Sequence, residues 1–127
     1  MIYGIGTDIV QVERIARLHG KYGERLVQRL LMPQEIQALQ GQSRDTRFLA
    51  MRFAAKEAIV KALGTGFAQG IGMRDVGVAS DTLGRPHIIW SPRGEIRRRE
   101  LGIGEGHITL SDEAGLVVAM AVLLRAA

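Results

Sequence analysis

Residues 44–66, RDTRFLAMRFAAKEAIVKALGTG, carry the reading on which the fold turns. At 3.6 residues per turn, Leu49, Phe53, Val60 and Leu63 fall on one stripe, and no Gly or Pro interrupts the run from Arg44 to Leu63, so the spacing predicts a helix. Gly64 and Gly66 supply its stop and begin a loop. Lys56 projects into the middle of the apolar stripe, while Glu57 and Lys61, an i,i+4 pair, border a strip of Ala50, Ala54 and Ala58. Side chains this small let another backbone or a ligand come close. On an arbitrary helix the pair would be an exposed intrahelical contact, and Lys56 would run its stem along apolar surface to reach water.

Upstream, residues 1–10, MIYGIGTDIV, alternate small and β-branched residues and predict a strand ending near Asp8. An acid at that point serves either as a helix N-cap or as a site residue. Val12, Ile15 and Ala16 mark one face of a following helix, whose other face carries Arg14, Arg17 and Lys21, with Glu13 as its only acid. A solvated face explains these cations, and so does an acidic partner. Gly20 and Gly23 precede a second short helix, ERLVQRLL, which adds Arg25 and Arg29 to the basic count. Pro33 opens a third, PQEIQALQ, which Gly41 ends.

Downstream, residues 64–72, GTGFAQGIG, carry four glycines but lack the Lys-Ser or Lys-Thr of a P-loop. They read either as a plain connection or as a loop whose N–H groups approach phosphate oxygens. Asp75–Ala79 predict a strand, Gly84, Arg85 and Pro86 a turn, His87–Trp90 the partner strand, and Ser91–Leu101 a helix with its basic residues outward. GHITLSDE and LVVAMAVLL flank a turn at Glu113, Ala114 and Gly115 and predict a hairpin. The second strand is apolar throughout and is expected to be central and covered on both faces. The order of elements predicts an α+β fold, with helices packed on a small, mainly antiparallel sheet in a single domain over residues 1–127.

Composition narrows the partners. Hydrophobic residues make up 46% of the 127, enough for one core. The chain has no cysteine, which excludes disulfides and thiolate metal sites. No apolar run is long enough to span a membrane and the N-terminus lacks a leader pattern, so a soluble, cytoplasmic protein is expected. Seventeen Lys and Arg against 13 Asp and Glu give a net charge of +4, which attracts polyanions. Aromatic residues are only 5%, with no basic stretch interleaved among them, so a base-stacking platform for nucleic acid is not expected.

Two carboxylates, Asp8 and Glu57, thus sit on regular elements beside the cations Arg52, Lys56, Lys61 and Arg85. A magnesium-dependent phosphoryl transfer needs such a set, because Mg²⁺ takes one or two carboxylates along with phosphate oxygens, and lysines offset charge on the leaving phosphate. A non-catalytic basic module also accounts for the net charge. It does not account for the carboxylates, which repel phosphates unless a cation intervenes.

The pattern R-F-x-x-K-E-A-x-x-K-A-L-G from Arg52 to Gly64, with the G-x-D of Gly6, Thr7 and Asp8, resembles the 4'-phosphopantetheinyl transferases, and among them the short bacterial holo-acyl-carrier-protein synthases. The resemblance extends over nearly the whole chain and implies the fold of that superfamily. It implies that coenzyme A is the substrate and a serine hydroxyl of an apo acyl carrier protein the acceptor, with 3',5'-ADP released in support of fatty acid biosynthesis. By the same resemblance Asp8 and Glu57 hold Mg²⁺, and Lys61 acts with them in catalysis and contacts the cofactor phosphates. Arg52, Lys56, Gly64, Gly84, Arg85, Pro86 and His107 match regions that line the cofactor. The resemblance leaves open whether Glu57 or a water takes the serine proton. Many relatives carry a histidine where this chain has Asp112, which puts any basic role of that position in doubt. His19 and His87 match no motif and read as surface or packing residues. For the carrier, the face of Arg14, Arg17 and Lys21 is the expected dock. The resemblance further implies a homotrimer with sites shared between subunits, and the alanine strip and the LVVAMAVLL strand are expected near that interface.

Overall fold

The computed structural model describes residues 1–41 and 45–127. Its elements are β1 (Ile2–Gln11), α1 (Val12–Tyr22), α2 (Glu24–Leu30), α3 (Pro33–Leu39), α4 (Asp45–Leu63), β2 (Val76–Ser80), β3 (Pro86–Trp90), α5 (Pro92–Glu100), β4 (Ile103–Glu113) and β5 (Leu116–Arg125). The expected start of the long helix at Arg44 lies outside the described residues. Its end falls as predicted, where Gly64 turns to φ +82° and donates its N–H to the Val60 and Lys61 carbonyls.

Two antiparallel sheets form: β1-β5-β4, and the β2-β3 hairpin. α4 lies across β1 and β5, and glycine decides how closely. A Cβ on Gly4 would collide with the Ala62 carbonyl oxygen, and one on Gly6 with that of Ala58. Ala50, Ala54 and Ala58 are therefore buried within the chain. At Ala58 the backbone that this strip admits is the protein's own β1, so the strip packs inside the chain and offers no surface of its own.

The first strand does not stop near Asp8 but continues to Gln11, so Asp8 is a mid-strand residue paired with Ala119 and caps no helix. β5 is central, as expected, but it is covered on one face only. In a pleated strand alternate side chains point to opposite faces, and α4 takes Val117, Ala119, Ala121 and Leu123. The other face leaves Val118 and Met120 exposed, beside Ile5 and Ile9 of β1 at 58% and 62%.

One buried charge cluster ties the layers together. Glu35, 1% exposed, accepts from Lys56 Nζ at 2.5 Å and Met32 N–H at 3.0 Å through Oε1, and from Val78 N–H at 3.1 Å through Oε2. Lys56 Nζ also donates to the Met73 and Val76 carbonyls at 2.9 and 2.6 Å. The cluster joins α3, α4 and β2, and removing one partner of such a buried pair typically costs about 3–5 kcal/mol because the other charge is stranded.

Candidate active site

Strand pleat and helix period together build the carboxylate cluster. Asp8 shares the inner face of β1 with Gly6 and Val10, so its side chain faces α4, where Glu57 and Lys61 lie one turn apart. Lys61 Nζ donates to Asp8 Oδ1 at 3.2 Å and to the Thr7 carbonyl at 3.0 Å. Glu57 is half-buried. Burial pushes its carboxyl above the usual range, the nearby charge of Asp8 adds to this, and Lys61 and Arg14 oppose it. The structure thus brings Asp8 to Glu57 and Lys61, which lie 49 and 53 positions further along the sequence, and adds Arg14 at their edge.

Not every predicted site residue is there. Lys56 is 0% exposed and its ammonium is surrounded by Glu35 and two carbonyls, so it has no N–H for a cofactor phosphate. Its pKa is lowered by burial, with Glu35 opposing. An ammonium in the middle of an apolar stripe finds a buried carboxylate instead of water. Arg52 is also buried, with its guanidinium over the Phe48 ring at 4.3 Å and Nε 3.4 Å from Glu35 Oε2. Gly64 is exposed at the helix end, but its N–H is already engaged in the cap.

Arg85, Pro86 and His107 line a separate groove of about 420 Å³, with Thr109, Met120 and Val122. His107 pairs with Val122, on the outward row of the sheet, whereas Asp8 pairs with Ala119 on the inward row. Within one chain the carboxylate cluster and this groove therefore lie on opposite faces of the three-stranded sheet.

On α1, Arg14 stands over the Phe53 ring at 5.8 Å, Lys21 over Tyr22 at 5.3 Å, and Arg17 pairs with Glu13 at 3.4 Å. Arg17 is thus offset by Glu13, which sits one turn before it. A groove of about 310 Å³ follows along α1 and α2, lined by Leu18, Tyr22, Arg25, Leu26 and Arg29. Asp112 forms a bidentate pair with Arg47, at 2.6 and 2.8 Å, and so links the end of β4 to the first turn of α4. Among the described residues, no group of three or more His, Cys, Asp or Glu is arranged to hold a metal. No described helix is long and apolar enough to cross a membrane.

Sequence reasoning missed Glu35. Its signal was present, since Pro33 at the first helical position puts Glu35 at the third, where a glutamate reaches back to the N-cap N–H.

The chain is similar to known proteins along its whole length. A family model described as the 4'-phosphopantetheinyl transferase superfamily matches residues 4–119. A holo-[acyl-carrier-protein] synthase of Nitrosospira multiformis is 44% identical over 97% of this chain and 98% of its own length. The crystal structure of such a synthase from Neisseria meningitidis superposes with a TM-score of 0.94 at 40% identity, covering 98% of this chain and 100% of that one. A synthase from Bacillus anthracis, crystallised in complex with CoA (3',5'-ADP), gives a TM-score of 0.79 at 35% identity, covering 100% and 99%.

Proposed function

The chain belongs to the holo-[acyl-carrier-protein] synthases of the 4'-phosphopantetheinyl transferase superfamily, and from that premise we propose that it moves the phosphopantetheine arm of coenzyme A onto a serine hydroxyl of an apo acyl carrier protein. The observation that carries the site assignment is the meeting of Asp8, Glu57 and Lys61 between β1 and α4. The serine oxygen attacks the β-phosphorus of coenzyme A, the bond to the α,β-bridging oxygen breaks, and 3',5'-ADP leaves. Lys61 stands by the leaving phosphate to offset its charge, and the Asp8 carboxylate and Thr7 carbonyl hold the ammonium in place. Glu57, whose carboxyl is raised by burial and by the charge of Asp8, accepts the serine proton.

Asp8 and Glu57 are also the residues that would hold Mg²⁺. The fit is chemical: two carboxylates near enough for one to raise the other ask for a cation, and Mg²⁺ binds one or two carboxylates with water and phosphate oxygens completing its shell. Bound there, the ion would neutralise charge on the transferred phosphoryl group.

The groove of Arg85, Pro86 and His107 takes the nucleotide end of coenzyme A. Because it lies across the sheet from the carboxylates, one chain supplies one wall of a site and its neighbour the other, which favours a cyclic homotrimer. The exposed row of Ile5, Ile9, Val118 and Met120 is the surface such a ring would cover. An acidic helix of the carrier docks on α1 through Arg14, Arg17 and Lys21, and the Leu18 and Leu26 groove with Arg25 and Arg29 extends that surface. The whole chain acts as one domain, in the cytoplasm, on the carrier of fatty acid synthesis.

Titration calorimetry tests the site. Coenzyme A should bind the wild type more tightly with Mg²⁺ than without, and Asp8→Asn should remove that gain. Equal binding in both conditions, or Mg²⁺-independent binding of duplex DNA with a steep salt dependence, would point to a basic binding module instead.

A further inference from the structure

We propose that Asp81 is a positioning residue for the nucleotide end of coenzyme A: it fixes the β2-β3 turn and thereby keeps Arg85 and Pro86 on the wall of the groove they share with His107. The inference rests on the coenzyme A reading of that groove. Asp81 Oδ1 accepts the N–H groups of Leu83 and Arg85, each at 2.9 Å. Its own N–H donates to the Arg85 carbonyl at 3.0 Å, and its carbonyl accepts from Gly84 N–H at 3.0 Å. One residue therefore holds Arg85 at both its N–H and its C=O. On the other side, Oδ2 lies 3.2 Å from His87 Nε2, which ties the turn to the residue just past Pro86.

Nothing in the packing of the tip does this work. Residues 81–85 are all exposed, Leu83 at 93%, and Gly84 sits at φ +84°, a conformation a side chain would resist. The turn is thus defined by hydrogen bonds that converge on one carboxylate. Those N–H groups matter a second way. A bare carboxylate beside a nucleotide phosphate would repel it, and here the negative charge is met by two backbone donors and an imidazole. The Arg85 N–H, and then His87, hold the Asp81 carboxyl below its usual range, so it stays ionised and keeps accepting at neutral pH. The consequence is preorganisation: Arg85 leaves a backbone already set for the ligand, and binding does not have to order it.

The test compares Asp81→Ala, Asp81→Asn and Arg85→Glu by coenzyme A KM, kcat at saturating coenzyme A and carrier, and thermal midpoint. Asp81→Ala should raise KM about tenfold, the effect of losing one to two net hydrogen bonds' worth of order, with kcat within about twofold and the midpoint lower by no more than a few degrees, as expected for an exposed turn. Asp81→Asn, whose amide oxygen can still accept both N–H groups, should restore most of the affinity. Wild-type KM in Asp81→Ala alongside a weakened Arg85→Glu would overturn the positioning role and leave the groove assignment standing. Wild-type KM in both would overturn the groove assignment and the proposal with it. Equal impairment of the Asn and Ala variants would overturn the turn-based account.

Discussion

In the proposed mechanism Glu57 is the residue whose environment bears most on the chemistry. It is half-buried, near Asp8, and its carboxyl is raised first by burial and then by that neighbouring charge. The folded protein therefore holds this proton to higher pH than the unfolded chain does. In that window the folded state binds more protons, so the residue's contribution to stability falls as pH rises from the ordinary carboxylate range through the raised value. Glu57→Gln should then melt no lower than wild type at pH 7, with any advantage vanishing in acid, while transfer drops by about 100-fold or more. Melting curves at the two pH values, with a turnover assay, check both halves. A midpoint several degrees below wild type at pH 7 would contradict the description of Glu57 as a destabilised carboxylate.

Among the elements, the contact of β1 with α4 places Asp8 opposite Glu57 and Lys61, and Gly6 makes it possible. Gly6→Ala should lower stability by about 2–3 kcal/mol through overpacking and lower activity beyond that, because the strand that bears Asp8 must move away. A chemical denaturation curve and a turnover measurement at a temperature where the variant is folded test this; wild-type values in both would refute the close packing. Much of this architecture was legible. The spacing of Leu49, Phe53, Val60 and Leu63 defined α4, and both hairpins fell near their turn residues. The fate of Lys56 was not legible, because helical spacing shows which face a cation is on and not whether a carboxylate from another helix meets it. The alternation along β5 was hidden by its composition: Val118 and Met120 are as apolar as their buried neighbours, so a period of two could not be read. The Arg85, Pro86 and His107 groove was legible through the family pattern. Asp81, three residues before Gly84, matched no part of it and emerged only from the hydrogen bonds of the turn.

For the whole molecule, the question is whether the carboxylate cluster and the Arg85 groove, which lie on opposite faces of one sheet, belong to one site shared between subunits as proposed. If neighbouring subunits each give a wall, Glu57→Gln and the double variant Arg85→Glu with Pro86→Gly, each inactive alone, should complement when unfolded and co-refolded in equal amounts. Random assembly leaves about a quarter of the sites with both walls intact. Recovery near that fraction of wild-type activity supports the shared site; no recovery in any mixture means that each chain holds a site by itself. Beneath this lies the transfer itself, and one measurement reaches it directly. The protein is incubated with apo acyl carrier protein, coenzyme A and Mg²⁺, and the carrier is weighed and its peptides sequenced by mass spectrometry. The account predicts a carrier heavier by one phosphopantetheine on a single serine, with 3',5'-ADP formed in equal amount and neither product made by Glu57→Gln. A carrier of unchanged mass, with coenzyme A intact after prolonged incubation, would contradict it.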